Sequence, residues 1–336
     1  MKRASILAVV SVSAACSLLA ARPGLAEAVK GAGLFPIVQA GKYGYIDRAG
    51  TVVIAPRFDQ AIDFMAGSGL AGVRFGDAWG AIDVKGVVVL EAQFGQPPTF
   101  GAEGLSFMTI DGKPACIDKT GARPPALQFE NPCVFSEGLA AANIGGRFGF
   151  VDPRGKVVIP PRFQEAGYFS EGLAAVKVKD KWGFIDKAGN VTITPRFDEA
   201  WGFNEGLAPV KAGTDWGVID KHGNVVLKPQ YASAVTFTDG RGQVAIGGKQ
   251  GFIDRTGKVV IEARYAEARV FSEGLAAVKV GDKWGFVDTT GRMAIEPQFD
   301  FAAPFFDGLA LVQMGTEDAK RGYIDKTGSY VWKPTN

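Results

Sequence analysis

Histidine is almost missing from this chain: the single residue His222 lies in the polar turn that opens at Asp220. One imidazole in a solvated turn gives no His–His metal pair, and it makes the inventory of nucleophiles and bases thin, with carboxylates meeting across copies the remaining route. Cysteine is scarce as well. Cys16, Cys116 and Cys133 are too few and too widely spaced for a Cys/His zinc cluster. No HExxH, no Gly-x-Ser-x-Gly and no phosphate-binding glycine loop occurs. Charge of one sign is lacking too, since 37 Lys and Arg face 35 Asp and Glu. A near-neutral chain carries no electrostatic footprint for nucleic acid or anionic lipid. These gaps point away from an enzyme and imply no cofactor and no metal.

Long hydrophobic runs are confined to the first two dozen residues. Lys2 and Arg3 precede an apolar stretch from Ile6 to Ala15 with Leu18 and Leu19, and small residues follow at Gly24 and Ala26. This order predicts an export signal over residues 1–26, with cleavage after Ala28 an alternative. Arg22 and Pro23 interrupt the run, which is short for a membrane anchor. A lipoprotein anchored through Cys16 is a second alternative, although Leu18 and Leu19 after the cysteine argue against it. Removing residues 1–26 takes away three cations and no acid, and the formal net charge falls from +2 to −1. The mature chain then has no transmembrane span and is expected in the periplasm or outside the cell. In that oxidising compartment Cys116 and Cys133 are a natural disulfide pair, with two unpaired thiols the alternative.

What the chain has in abundance is glycine, 45 residues, and phenylalanine, 24 residues. They recur with a period. Nine aspartates fall in register, mostly 34 apart: Asp47, Asp83, Asp118, Asp152, Asp186, Asp220, Asp254, Asp288 and Asp325. Glycine follows each of them three positions later, as in Asp186 and Gly189. Asp at the first place of a type I turn accepts backbone N–H groups, and Gly at the fourth tolerates positive φ, so the pair predicts a hairpin turn. Calcium ligation is the competing reading, but Lys, Arg, Thr and Ala surround these aspartates instead of further oxygen donors.

An aromatic–glycine pair precedes most of the aspartates, as at Trp182 and Gly183. Copies three, seven and nine carry Pro114, Gln250 and Arg321 in place of the aromatic. Fourteen residues before nearly every Asp stands a Gly-Leu or a variant of it, clearest in EGLAAVKV from Glu171 and from Glu273. Eleven residues after most of them comes an aromatic, often with proline two positions earlier, as at Pro195 and Phe197. Proline belongs at the end of a strand or on an edge strand. One copy therefore reads as LAAVKV, a charged turn, WGFID, the Asp-to-Gly turn, and a run such as Val157 to Ile159, with a weaker fourth strand around Ala166 to Phe169. The recurring Glu137, Glu171, Glu205 and Glu273 suggest a turn or capping role. The Trp182 ring is expected to pack between copies, at a cost on the order of 3 kcal/mol if truncated.

KWGFID with its following Gly, and FSEGLAAV before it, resemble the WG-repeat (KWG-repeat) proteins of bacteria over residues 33–336. The resemblance implies a β-rich repeat scaffold, common in envelope or secreted proteins, with no shared activity and no catalytic residues. Residues 27–32 would form a short linker. The copies run about 33–68, 69–103, 104–137, 138–171, 172–205, 206–239, 240–273, 274–307 and 308–336.

The expected fold is all-β: nine three- to four-stranded antiparallel units of about 34 residues that must stack, because one unit cannot bury its own faces. A propeller-like ring is favoured by the meander order, and an open β-solenoid or superhelical array is the alternative. Function should lie where the repeat is broken, at Trp201, Gln250, Arg241, Arg269, Arg321 and Trp332. The reading is an exported, non-enzymatic scaffold that binds a protein partner at the cell envelope. An envelope glycan binder is the alternative, and a hydrolase or lyase on the same frame is a third.

Overall fold

The computed structural model describes residues 32–124, 134–315 and 320–335. Nine small antiparallel sheets follow one another along the chain, and no helix occurs among the described residues. The fifth sheet is typical, with strands Glu165–Ser170, Leu173–Val178, Lys181–Asp186 and Val191–Phe197 paired in chain order. Other sheets keep two, three or four of these strands. The third copy, despite Pro114 and Ala115, still pairs Leu105–Ile110 with Lys113–Asp118 over six positions.

Each turn forms as its residues dictate. The Gly189 N–H donates to Asp186 O at 2.9 Å, with Gly189 at φ 86°. Asp186 Oδ1 accepts the N–H groups of Ala188 (3.0 Å) and Asn190 (2.8 Å). Asp186 Oδ2 accepts Asn190 Nδ2 at 3.0 Å, so both carboxylate oxygens are engaged within the turn.

Two expectations about strands are corrected. The run expected over Val157 to Ile159 continues to Phe163, with Pro161 inside it. Proline is tolerated there because the strand is the sheet edge and bulges: Phe150 faces Ile159, but Phe148 faces Phe163. The bulge also explains the glycine of the aromatic–glycine pair. A Cβ on Gly183 would lie 2.5 Å from Ile193 O and 2.6 Å from Pro195 N, so only glycine fits beneath the bulged strand.

The second correction concerns the weak strand after Phe163. It pairs with the following copy, Glu165 opposite Lys177, instead of closing its own. Only Gln164 separates the two strands, and its N–H already donates to Lys177 O (3.0 Å). The same single-residue step, at Asp59, Asp198 and Asp300, carries the chain from the first sheet to the second, the fifth to the sixth and the eighth to the ninth.

The core lies between sheets. Leu139, Phe150, Ile159 and Phe163 of the fourth sheet meet Phe169, Ala174, Val176 and Ile185 of the fifth. Phe150 and Phe169 pack with ring centroids 4.8 Å apart, and the pairs Phe184–Phe203, Phe252–Phe271 and Phe286–Phe305 repeat that geometry. Each fully buried ring contributes roughly 2 kcal/mol relative to exposure.

The array closes. Phe35 of the first sheet packs against Tyr323 of the ninth at 5.4 Å, and the Tyr323 hydroxyl donates to Pro36 O at 3.0 Å. Phe35, Ile37 and Ile46 share one core with Leu309 and Tyr323. Arg48 also pairs with Asp307 across the same junction. The molecule is therefore a nine-bladed, propeller-like ring, and the open-array alternative is excluded.

Candidate functional site

Outside the aspartate turns, recurring polar residues join one sheet to the next. Glu171, at φ 52°, accepts the Gly206 N–H of the next sheet (3.0 and 3.1 Å) and pairs with Lys221 at 2.8 Å. Glu137, Glu205 and Glu273 do the same with Lys187, Arg255 and Lys326. The capping role expected for these glutamates holds, but the cap is placed on the neighbouring copy. Arg162 stacks over Phe163 at 5.0 Å and donates to Gly189 O of the next sheet, and Arg57 and Arg196 act alike.

At the opposite end of the strands, Asp198 joins two sheets. It accepts from Lys181 Nζ (2.5 Å) in the fifth sheet and from the Gly213 N–H (2.7 Å) in the sixth. Asp59 and Asp300 repeat the arrangement with Lys42 and Gly76 and with Lys283 and Gly315. The lysine side-chain hydrogen bond, followed by the glycine N–H, holds each of these carboxyls below its usual range. The lysine before the aromatic–glycine pair is thus half of a clamp. Sequence reasoning missed it, although a Lys–Asp spacing of 17 recurs in all three.

The residues that break the consensus meet different fates. Trp201 follows the short strand Glu199–Ala200, where its backbone N–H donates to Pro209 O at 3.0 Å. Its ring stands at 62° to Trp216, 5.3 Å away, and remains 38% exposed. Lys211 lies over the other ring at 5.8 Å. Arg269 holds the same place against the eighth sheet, two residues before the buried Phe271, and its backbone N–H donates to Ala277 O at 2.8 Å. Its guanidinium covers Trp284 at 5.0 Å and Phe301 at 4.9 Å, and its Nε donates to Ala302 O at 2.9 Å.

Arg241 is a strut, with Nε donating to Thr289 O of the next sheet at 3.1 Å. Arg321 is a half-buried strand residue opposite Gln313 and Thr335. Trp332 packs at the junction of first and last sheets beside Tyr323 and Phe35. Gln250 accepts from Gln243 Nε2 at 3.1 Å. The partners of these residues lie in different sheets, so they do not build one site. Trp201 is the one whose ring is left open to a ligand.

Cys116 is disulfide-bonded and 6% exposed. It stands where Phe150 stands one copy later, two residues before the turn aspartate, and packs with Leu105, Phe107 and Phe135. Cys133, its expected partner, lies outside the described residues, as do Cys16 and the signal over residues 1–26. His222 is exposed, its backbone N–H donating to Asp220 Oδ1 at 2.9 Å. No cluster of three or more His, Cys, Asp or Glu side chains suited to a metal occurs among the described residues. An open cavity of about 410 Å³ lies at the ring junction, lined by Ala32, Gly33, Asp47, Arg48 and Ala49.

No helix among the described residues is long and apolar enough to cross a membrane. No curated protein sequence matches the chain. Among solved structures, a crystal structure of the eukaryotic initiation factor is similar at 12% identity and a TM-score of 0.59, covering 88% of this chain and 94% of that one. The dihydro-heme d1 dehydrogenase NirN is 14% identical with a TM-score of 0.44, covering 92% and 74%. The WD40 β-propeller domain of Doa1 is 11% identical with a TM-score of 0.29, covering 82% and 86%. At these identities the first likeness speaks to fold alone. The WG containing repeat matches at residues 43–77, 148–182, 182–213, 216–249, 251–284 and 284–315, more than half of the sequence, and the chain belongs to the WG-repeat family.

Proposed function

We propose that this chain is an exported, non-enzymatic scaffold that holds a protein partner at the bacterial cell envelope. One observation carries the reading. The recurring glutamates, the Lys–Asp clamps and the paired phenylalanines are engaged between sheets, while Trp201, a departure from the consensus, leaves an indole 38% exposed beside Trp216 and Lys211. A rigid ring with a variable aromatic is suited to anchoring a partner, because a large ring buries much area at little entropic cost. Export rests on the signal over residues 1–26. Intact-mass measurement should find a mature chain beginning at Glu27; an acylated chain beginning at Cys16 would replace this with a lipoprotein.

The test is capture of partners from an envelope fraction on the immobilised mature chain. Proteins retained by the native chain and lost with Trp201→Ala support the scaffold. An identical set on both would remove Trp201 from the reading. An exposed indole with a nearby cation also suits a sugar face, which favours envelope glycan as the second reading. Co-sedimentation with purified peptidoglycan, abolished by Trp201→Ala, would select it.

A further inference from the structure

The sixth and eighth sheets carry the same residues around one tryptophan. Trp216 and Trp284 are both buried, and the pair Lys211–Glu199 (2.7 Å) answers to Lys279–Glu267 (2.8 Å). Trp201 and Arg269 stand at one repeat position, 68 residues apart, and their backbone N–H groups make the same hydrogen bond to the adjoining strand. What differs is the set of planar groups laid beside the tryptophan. In the eighth sheet the Arg269 guanidinium covers both Trp284 and Phe301 of the ninth. In the sixth, Trp201 takes the arginine's place against Trp216, and the exposed Ser233 stands where Phe301 does, again 68 residues earlier. Two planar groups are present there instead of three, and the Trp201 indole is left open.

We propose, building on the scaffold role, that the protein partner presents an arginine to Trp201, its guanidinium stacked on the indole and its N–H groups donating to Glu199. Two observations favour an arginine over an uncharged group. The eighth sheet already accommodates a guanidinium on the equivalent indole, beside the equivalent Glu–Lys pair. Glu199 lies two residues before Trp201 with Ala200 buried between them, so both side chains stand on the outward side of the strand. Its carboxylate is half exposed, and Lys211 engages Oε1. A guanidinium is planar, permanently charged and weakly hydrated, so it gains from an indole face and a carboxylate together, whereas an ammonium gives up more hydration to do so.

Titrating the isotopically labelled mature chain with acetyl-Gly-Arg-Gly-amide should move the Trp201 indole N–H signal in the NMR spectrum. The lysine peptide should act several-fold more weakly, and the citrulline peptide, planar but uncharged, should have no effect. Glu199→Gln should weaken the arginine response several-fold. Trp201→Arg gives the sixth sheet the residue that the eighth already holds, and is expected to keep the melting temperature while leaving the Trp216 signal unmoved by the peptide. Arg269→Ala uncovers Trp284 and should give that indole an arginine response the native chain lacks. A Trp201 signal indifferent to the arginine peptide, an equal response to citrulline, or a Trp284 that stays silent in Arg269→Ala would overturn the assignment. Envelope proteins lost with Trp201→Ala but not released by the arginine peptide would leave the scaffold standing without it, whereas an arginine response with no captured protein would keep the site and remove the scaffold.

Discussion

At the scale of single residues, the sheet-joining carboxylates set a pH response. Asp59, Asp198 and Asp300 are held below their usual range by lysine hydrogen bonds. A group depressed in the folded state contributes stability above its unfolded value of about 3.9 and loses it as pH falls through the lower folded value. Urea midpoints should therefore fall as pH is taken from about 6 to about 3, and Asp198→Asn should flatten part of that fall. Midpoints that run parallel in both proteins would show the clamp to be inert. Thr238 gives a second expectation. Ser136, Ser170, Asn204 and Ser272 each donate to a phenylalanine carbonyl 33 residues on, whereas Thr238 Oγ1 is buried without a hydrogen bond. Thr238→Ser should recover that bond to Phe271 O and raise stability by about 1 kcal/mol, read from equilibrium unfolding. The aspartate turns were legible in sequence because their hydrogen bonds stay within four residues. The Lys–Asp clamps were not, because their partners belong to different sheets.

At the scale of the strand, the aromatic–glycine pair separates two requirements. Gly183 is fixed by the bulged strand over it, and Gly183→Ala should cost about 3 kcal/mol, since backbone atoms and not a mobile side chain stand in the way. The aromatic depends on its copy. Trp284 is 4% exposed and packed with Phe286 and Phe299, whereas Trp182 is only partly buried. Trp284→Ala should thus cost about 4 kcal/mol and Trp182→Ala less; denaturation curves ranking them the other way would misplace the core. Sequence pattern read the LAAVKV–WGFID hairpin correctly, because alternation and a short turn are local signals. It gave the next strand as a run such as Val157 to Ile159 and allowed proline at its end or on an edge; Pro161 sits on the edge strand, which continues through a bulge to Phe163. It also assigned the strand expected around Ala166 to Phe169 to the wrong copy, because pairing partner is a choice between sheets and leaves no mark on the strand itself.

At the scale of the whole molecule, closure makes the first and last copies interdependent. Phe35 stands where other copies carry small residues such as Ala174, and its ring completes the junction with Tyr323. Phe35→Ala should cost about 3 kcal/mol and lower the melting temperature of the entire ring in one transition; separate melting of the terminal sheets would mean that the junction is not integral. The sequence by itself determined the all-β class, the nine copies, the turns and the WG-repeat resemblance, because each is written in spacings shorter than one copy. Only tertiary structure decided that the array closes, that the sheet boundary falls between Phe163 and Glu165, and that Trp201 stays open while Arg241 and Trp332 are used in packing. Those outcomes depend on which surfaces meet across tens to hundreds of residues, and a local pattern repeated nine times is the same whether its ends touch or not.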